Sequence, residues 1–227
     1  MKRSLIVCDR EVQAILAGTK SQIIRPVKIK NGLRPFNIIS DDRKVHDYGW
    51  ADESGDPVDV PFDHSFGKLG DILYLKETFS IVPASAYKLS RDNGEPVPHQ
   101  VSPDGLFWAI YREGWVRSAS GFKWRSPACM PRWASRIQLE IQDIRINKLN
   151  YLTSSDAKLE GFLDDQDLFK YLSYIRGEQA ARALPIRLRS AKEYFIEFWN
   201  GKYPDVSWKK NPWVWTISFR RLHNELA

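Results

Sequence analysis

A chain of 227 residues with 43% apolar content suits one domain with insertions and has enough apolar matter for a core. No uninterrupted apolar stretch reaches the roughly 18 residues of a membrane-spanning helix. The two cysteines, Cys8 and Cys129, are too few for a disulfide framework and fit a reducing cytoplasm.

The net charge is +6, the isoelectric point is near 9.2, and nine tryptophans stand among 34 basic residues. Lys and Arg displace condensed counterions and flat rings stack on bases, so this balance suits a nucleic-acid partner. It describes equally well a basic protein with a Trp-rich core. The opening "MKRSLIVCDREV" returns to charge too soon for a signal peptide.

In chain order, "RSLIVC" reads as a short buried strand. "DREVQAILAG" reads as a helix capped by Asp9, with Val12, Ile15 and Leu16 on its apolar face and Gly18 ending it in the left-handed conformation. "TKSQIIRPV" is a strand cut by Pro26. Residues 29–69, rich in Gly, Asp, Pro and Asn, read as long loop or insertion. "GDILYLKETF" is a strand after a Gly-Asp turn, with Glu77 in phase with Leu73 and Leu75. That carboxylate is either buried with the core residues or solvated just past the sheet edge.

Residues 81–125 read as a second insertion with one strand at "LFWAIYRE". Ile137, Leu139 and Ile141 alternate with polar residues, and the phase then slips to Ile144 and Ile146, as a bulge near Gln142 and Asp143 would cause. Thr153, three residues before Asp156, opens a short helix that carries Glu160 at its end. Two more helices follow between about 165 and 200. "NPWVWTISFRRL" closes the pattern as a strand, with Trp213, Trp215, Ile217 and Phe219 on one face and Val214, Thr216, Ser218 and Arg220 on the other.

These elements form a single α+β domain over residues 1–227: a small curled β-sheet or barrel with short helices packed on it and two long inserts. The four histidines, His46, His64, His99 and His223, lie far apart, and no C-x-x-C occurs, so no metal or other cofactor is expected. Phosphate-loop, dinucleotide and nucleophile-elbow motifs are absent.

Lys20 follows a helix end and begins a strand, where the fold can hold it. Beside a carboxylate it would serve as a base when neutral or a phosphate holder when charged. Arg25 offers a planar fork for phosphate or a base edge. "KWRSPACMPRW" interleaves Lys123, Arg125, Arg132 and Arg136 with Trp124 and Trp133, which makes either a stacking, phosphate-tracking surface or tryptophan lids crossed by arginines.

"ILAGTKSQIIR", "GDILYLKETF", "DAKLEGF" and "NPWVWTISF", in that order, resemble the ASCH domain of the PUA-like superfamily. With "WRSPACMPRWASRIQLEIQDIRINKL" the chain is similar to the long form found in bacteriophages and prophages. The resemblance implies a PUA-like barrel with a cleft for RNA or a modified nucleoside beside Lys20 and Glu160. It also implies an alternative, an amidohydrolase acting on N4-acylated cytidine; the long polar inserts at 29–69 and 81–125, which a barrel alone does not require, favour a third reading, a phage accessory protein that binds a host protein. In the amidohydrolase pattern Lys20 and Glu160 match the catalytic lysine and glutamate, Arg25 matches an arginine, and Glu77 matches a strand-end carboxylate. Ile23 stands where the pattern has threonine and brings no hydroxyl; Ser21 is the nearby substitute. The expectation is that Lys20 and Glu160 meet across a solvent-open hollow lined by rings.

Overall fold

A computed structural model describes residues 2–30, 32–39, 45–62, 66–85, 97–115, 122–176 and 189–222. Along the chain the described elements are β1 (Lys2–Ile6), α1 (Asp9–Leu16), β2 (Gln22–Pro26), β3 (Arg34–Ile39), β4 (Val45–Ala51), β5 (Pro57–Val58), β6 (Ile72–Lys76), β7 (Phe79–Pro83), β8 (His99–Val101), β9 (Phe107–Tyr111), β10 (Gln138–Lys148), α2 (Ser154–Leu159), α3 (Asp165–Arg176), α4 (Ala191–Lys202) and β11 (Trp213–Leu222). The class is α+β, mostly sheet with short helices. The strand orders are β1-β6-β10-β11-β2, β3-β4-β5 and β7-β9-β8, and among the described residues none closes into a barrel. No described helix is long and apolar enough to cross a membrane. His64 and His223 lie outside the described residues.

Contacts group the chain into two compact units: Met1–Ala17, His64–Ile141 and Arg220–Ala227 form unit one, and Gly18–Asp63 with Gln142–Phe219 forms unit two. The buried phase of β10 switches between Ile141 and Ile144, where the chain passes from one unit to the other. The slip read from the sequence is therefore present, and it lies within one continuous strand.

In unit one, β1 runs parallel to β6 from Lys2↔Ile72 to Ile6↔Lys76, and β6 pairs antiparallel with the start of β10. Leu73, Leu75, Ile137, Leu139 and Ile141 are fully buried, as their alternation implies. α1 begins one residue earlier than a cap at Asp9 would set it. Cys8 is the N-cap residue, and its N–H donates to the Glu11 carboxylate at 3.1 Å. The helix ends as expected, with Gly18 at φ +74°. The segment 81–125 carries more than the one expected strand: β7, β9 and β8 form an antiparallel sheet over a core of Phe79, Ala109, Tyr111, Met130 and Ala134.

In unit two, β11 pairs antiparallel with β2, from Val214↔Pro26 to Ser218↔Gln22. Pro26 sits at the strand's end, where its missing N–H costs least. Val214 and Thr216 are buried along with Trp215 and Ile217, so both faces of β11 are covered there. The helices occupy the second face: Ile24 and Val214 pack with Leu149, Ala157, Phe162, Phe195 and Trp199.

Within residues 29–69, where a loop was expected, the described strands β3, β4 and β5 form an antiparallel sheet. Gly and Asp inside β4 hide its pattern, yet the glycine is required. A Cβ on Gly49 would meet the Phe36 ring at 2.6 Å. Asn37 brackets Ile146, donating to its carbonyl at 2.9 Å and accepting its N–H at 2.8 Å, and the Tyr48 hydroxyl donates to the Ile144 carbonyl at 2.8 Å. The insert is thus stitched to β10 by side chains that a strand pattern does not reveal.

α2 and α4 are capped reciprocally. The Asp156 N–H donates to Thr153 Oγ1 at 3.1 Å and the Thr153 N–H to Asp156 Oδ2 at 2.8 Å; Ser190 and Glu193 repeat the arrangement. α4 buries Ala191, Phe195 and Trp199. Phe195→Ala is expected to lower the stability by about 3–5 kcal/mol, read from the urea midpoint, because the ring leaves a cavity in this core. A loss below about 1 kcal/mol would mean that α4 is not seated there.

Candidate functional site

α2 ends at Leu159, and Gly161 at φ +82° turns the chain away, which leaves Glu160 as the C-cap residue. The segment before β2 runs antiparallel to this corner. Lys20 and Glu160 form a bridge, and the Ser21 N–H donates to the Leu159 carbonyl at 2.9 Å. The Lys20 ammonium donates to Glu160 Oε2, and Glu160 Oε1 accepts the Ile24 N–H. The expected meeting of Lys20 and Glu160 is therefore present.

The expected open hollow is not found at the pair: the two side chains are 0% and 1% exposed. Ile23 is also fully buried, opposite Ile217 in the ladder. Ser21 is half-buried, and its carbonyl accepts the Phe219 N–H at 2.9 Å. Arg25 is buried, with Nη1 donating to the Ile24 carbonyl at 3.0 Å. A buried carboxylate facing an ammonium and a main-chain N–H is a satisfied charge, and its first consequence is to pin α2 to β2.

Unit one holds a second buried ion pair. Glu77, one residue past β6, receives both arms of Arg136: Nε to Oε1 and Nη2 to Oε2, each at 2.8 Å. Of the two readings left open by the sequence, the solvated one fails, since Glu77 is 1% exposed. Arg136 Nη2 also donates to the Glu113 carbonyl at 3.1 Å, and the guanidinium lies 4.1 Å from the Tyr111 ring centre. Burial pushes the Glu77 carboxyl above its ordinary range. Arg136 opposes that shift without cancelling it, and Glu113 and Asp9 add to it. Burial likewise pushes up the Tyr111 hydroxyl, which donates to the Ala134 carbonyl at 2.6 Å. Glu77 and Arg136 were read as ligand contacts; here they spend their polar atoms on each other.

The basic segment after residue 121 divides by role. Arg125 pairs through its main chain with Phe79, and the Lys123 carbonyl accepts the Ser80 hydroxyl at 3.0 Å, while both basic side chains belong to exposed residues. Trp124 packs edge-to-face with Trp115 and Phe122, and Trp133 packs on the Phe79–Tyr111 core. The tryptophans are thus walls of the unit, and the exposed cations are left for solvent or ligand.

Arg132 is exposed and stacks on Tyr74, with its guanidinium 4.7 Å from the ring centre and Nη2 donating to the hydroxyl at 3.3 Å. The two residues border a cavity of about 210 Å³ that Arg3, Ser4, Lys76 and Ser135 also line. Its lining holds three cations and no carboxylate. Sequence reasoning found Arg132 and missed Arg3 and Lys76. The parallel register of β1 on β6 sets Ser4 beside Tyr74 and Ile6 beside Lys76, and no local pattern announces that pairing. Such a cavity suits an anionic oxygen cluster, which guanidinium and ammonium groups hold by charge-assisted hydrogen bonds. Among the described residues no group of three His, Cys, Asp or Glu side chains is placed to hold a metal.

Lys20→Met strands the Glu160 carboxylate in the interior and should cost roughly 3–5 kcal/mol in urea unfolding, whereas Lys20→Met combined with Glu160→Gln should cost less than the two single changes summed. Additive losses would mean that the pair is not coupled. Glu77 binds its proton more tightly folded than unfolded, so it favours the fold most below its ordinary value of 4.5, and that contribution declines as the pH rises through the folded-state value. Relative to wild type, Glu77→Gln should therefore gain stability as the pH rises over that interval; a relative loss in a series of urea midpoints would reverse the assignment. In comparisons with protein-family models, curated proteins and solved structures the chain finds no match, so the likeness to the ASCH domain stands on the motifs alone.

Proposed function

We propose that this chain is a binding module for RNA or a modified nucleoside, of the ASCH, PUA-like type, and that it grips phosphate in the basic cavity of unit one. The observation that carries the reading is the cluster of Arg3, Lys76 and Arg132 around Tyr74, with no carboxylate in the lining. Exposed Lys123 and Arg125 and a net charge of +6 support it. Lysine and arginine side chains that line a cavity release counterions when they meet phosphate, which gives affinity with little base preference. The free, exposed Cys8 and Cys129 support a cytoplasmic setting.

The amidohydrolase reading asks Lys20 and Glu160 to reach a substrate, and their side chains are closed to solvent. It also asks for a hydroxyl where Ile23 stands buried. Binding is therefore favoured over hydrolysis, and no loss of acetyl absorbance is expected when the protein meets N4-acetylcytidine.

The test is the anisotropy of a labelled single-stranded RNA across a salt series. Affinity should fall with salt, and Arg132→Ala and Lys76→Ala should each weaken binding and lower the logarithmic salt slope by about 0.7, the value for one phosphate on a single strand. Affinity that ignores both salt and these substitutions would refute the proposal.

A further inference from the structure

Unit two has a cavity of its own, about 210 Å³, bordered by the end of β10, by the turn that follows it and by β2 and β11. We propose that it is a second binding site, for a nucleoside monophosphate: phosphate in the cavity, base against Tyr151 at its mouth. The residues that carry this are Arg145, Asn147, Lys148, Tyr151 and Thr216. The site shares no residue with the unit-one cavity and goes beyond the RNA-binding reading.

The strand pattern explains how these groups converge. Ile144 and Ile146 point into the core, so Arg145 and Asn147 present the other face of β10. Thr216 stands opposite Ile24 in the β11–β2 ladder. It is 6% exposed and lines the cavity, and its hydroxyl takes no hydrogen bond from the described residues. The Asn147 amide is likewise without a partner among them. A hydroxyl and an amide that are both left available at a cavity are useful around a polar guest.

The charge is of the matching sign. Lys148 donates to the Asn211 carbonyl at 3.3 Å and lies 4.6 Å from the Trp213 ring centre, so neither contact neutralises it. Burial and the nearby Arg34 both push its proton affinity down, which an anion would reverse. Arg145 has only a long, half-exposed contact with Asp143 at 3.7 Å. One carboxylate, Asp156, also lines the cavity, but its Oδ2 accepts both the N–H and the hydroxyl of Thr153 in the α2 cap. Tyr151 is 76% exposed. A single exposed ring is ordinary; one that lines the same cavity as two cations, an amide and a hydroxyl offers a stacking face beside a phosphate site. The volume falls below the roughly 300–1,000 Å³ of pockets that swallow a whole drug-sized ligand, which fits a site that takes in the phosphate and leaves the base stacked outside.

The experiment is calorimetric titration of the full chain at low salt with each of the four ribonucleoside 5′-monophosphates, with the parent nucleosides and with inorganic phosphate. At least one monophosphate should bind roughly tenfold tighter than both its nucleoside and phosphate. Tyr151→Ala and Thr216→Val should each weaken that binding about fivefold or more, with unchanged circular dichroism, and Arg132→Ala should leave it intact. Tyr151 is exposed, so its truncation tests the site even if Thr216→Val perturbs the fold. Failure of every monophosphate to bind, binding no tighter than that of phosphate alone, or loss of binding on Arg132→Ala would each overturn the assignment. Loss of RNA binding alone, with monophosphate binding kept, overturns only the unit-one reading.

Discussion

A lysine and a glutamate, both removed from water, can coexist only if each satisfies the other, and Lys20 and Glu160 do so at the corner where α2 meets the start of β2. The carboxylate spends its second oxygen on the Ile24 N–H, so the contact fixes main chain as well as side chain. Ile24 in turn faces the helical core of Phe195 and Trp199 and pairs with Thr216 on β11. The seating of α2 and the alignment of β2 with β11 thus lean on one buried charge pair. Such a pair adds little net stability over a well-packed apolar substitute, and breaking half of it is costly.

Unit one repeats the device with different chemistry. Arg136 grips Glu77 with both arms of its guanidinium and packs on Tyr111. A planar fork on a carboxylate fixes orientation in a way an ammonium does not. The segment that carries Arg136 also carries Arg132, so holding Arg136 rigid helps hold the turn from which Arg132 reaches Tyr74. The two cavities differ from these buried pairs: Lys76 and Lys148, which border them, donate to the Ala128 and Asn211 carbonyls, and Arg132 stacks on Tyr74. A cavity lined by one sign of charge is where an anion gains most.

The sequence determined the elements whose signals are local. Gly18 at a positive φ, the Thr153–Asp156 cap, the strand of β11 and the switch of buried phase along β10 are each written in a few consecutive residues, and each is present. The pairing of Lys20 with Glu160 was also expected, from the resemblance of their segments to the ASCH pattern. Tertiary structure decided what depends on neighbours far along the chain. It buried that pair instead of opening it to solvent, and it turned Glu77 inward against Arg136. It made a sheet of β3, β4 and β5 and tied it to β10 through Asn37 and Tyr48, and it gathered Arg3, Lys76 and Arg132 through the parallel register of β1 on β6. Periodicity tells which side of an element faces inward. Which charges meet there, and which stay unmatched at a cavity, is settled only when strands distant in sequence take up their register.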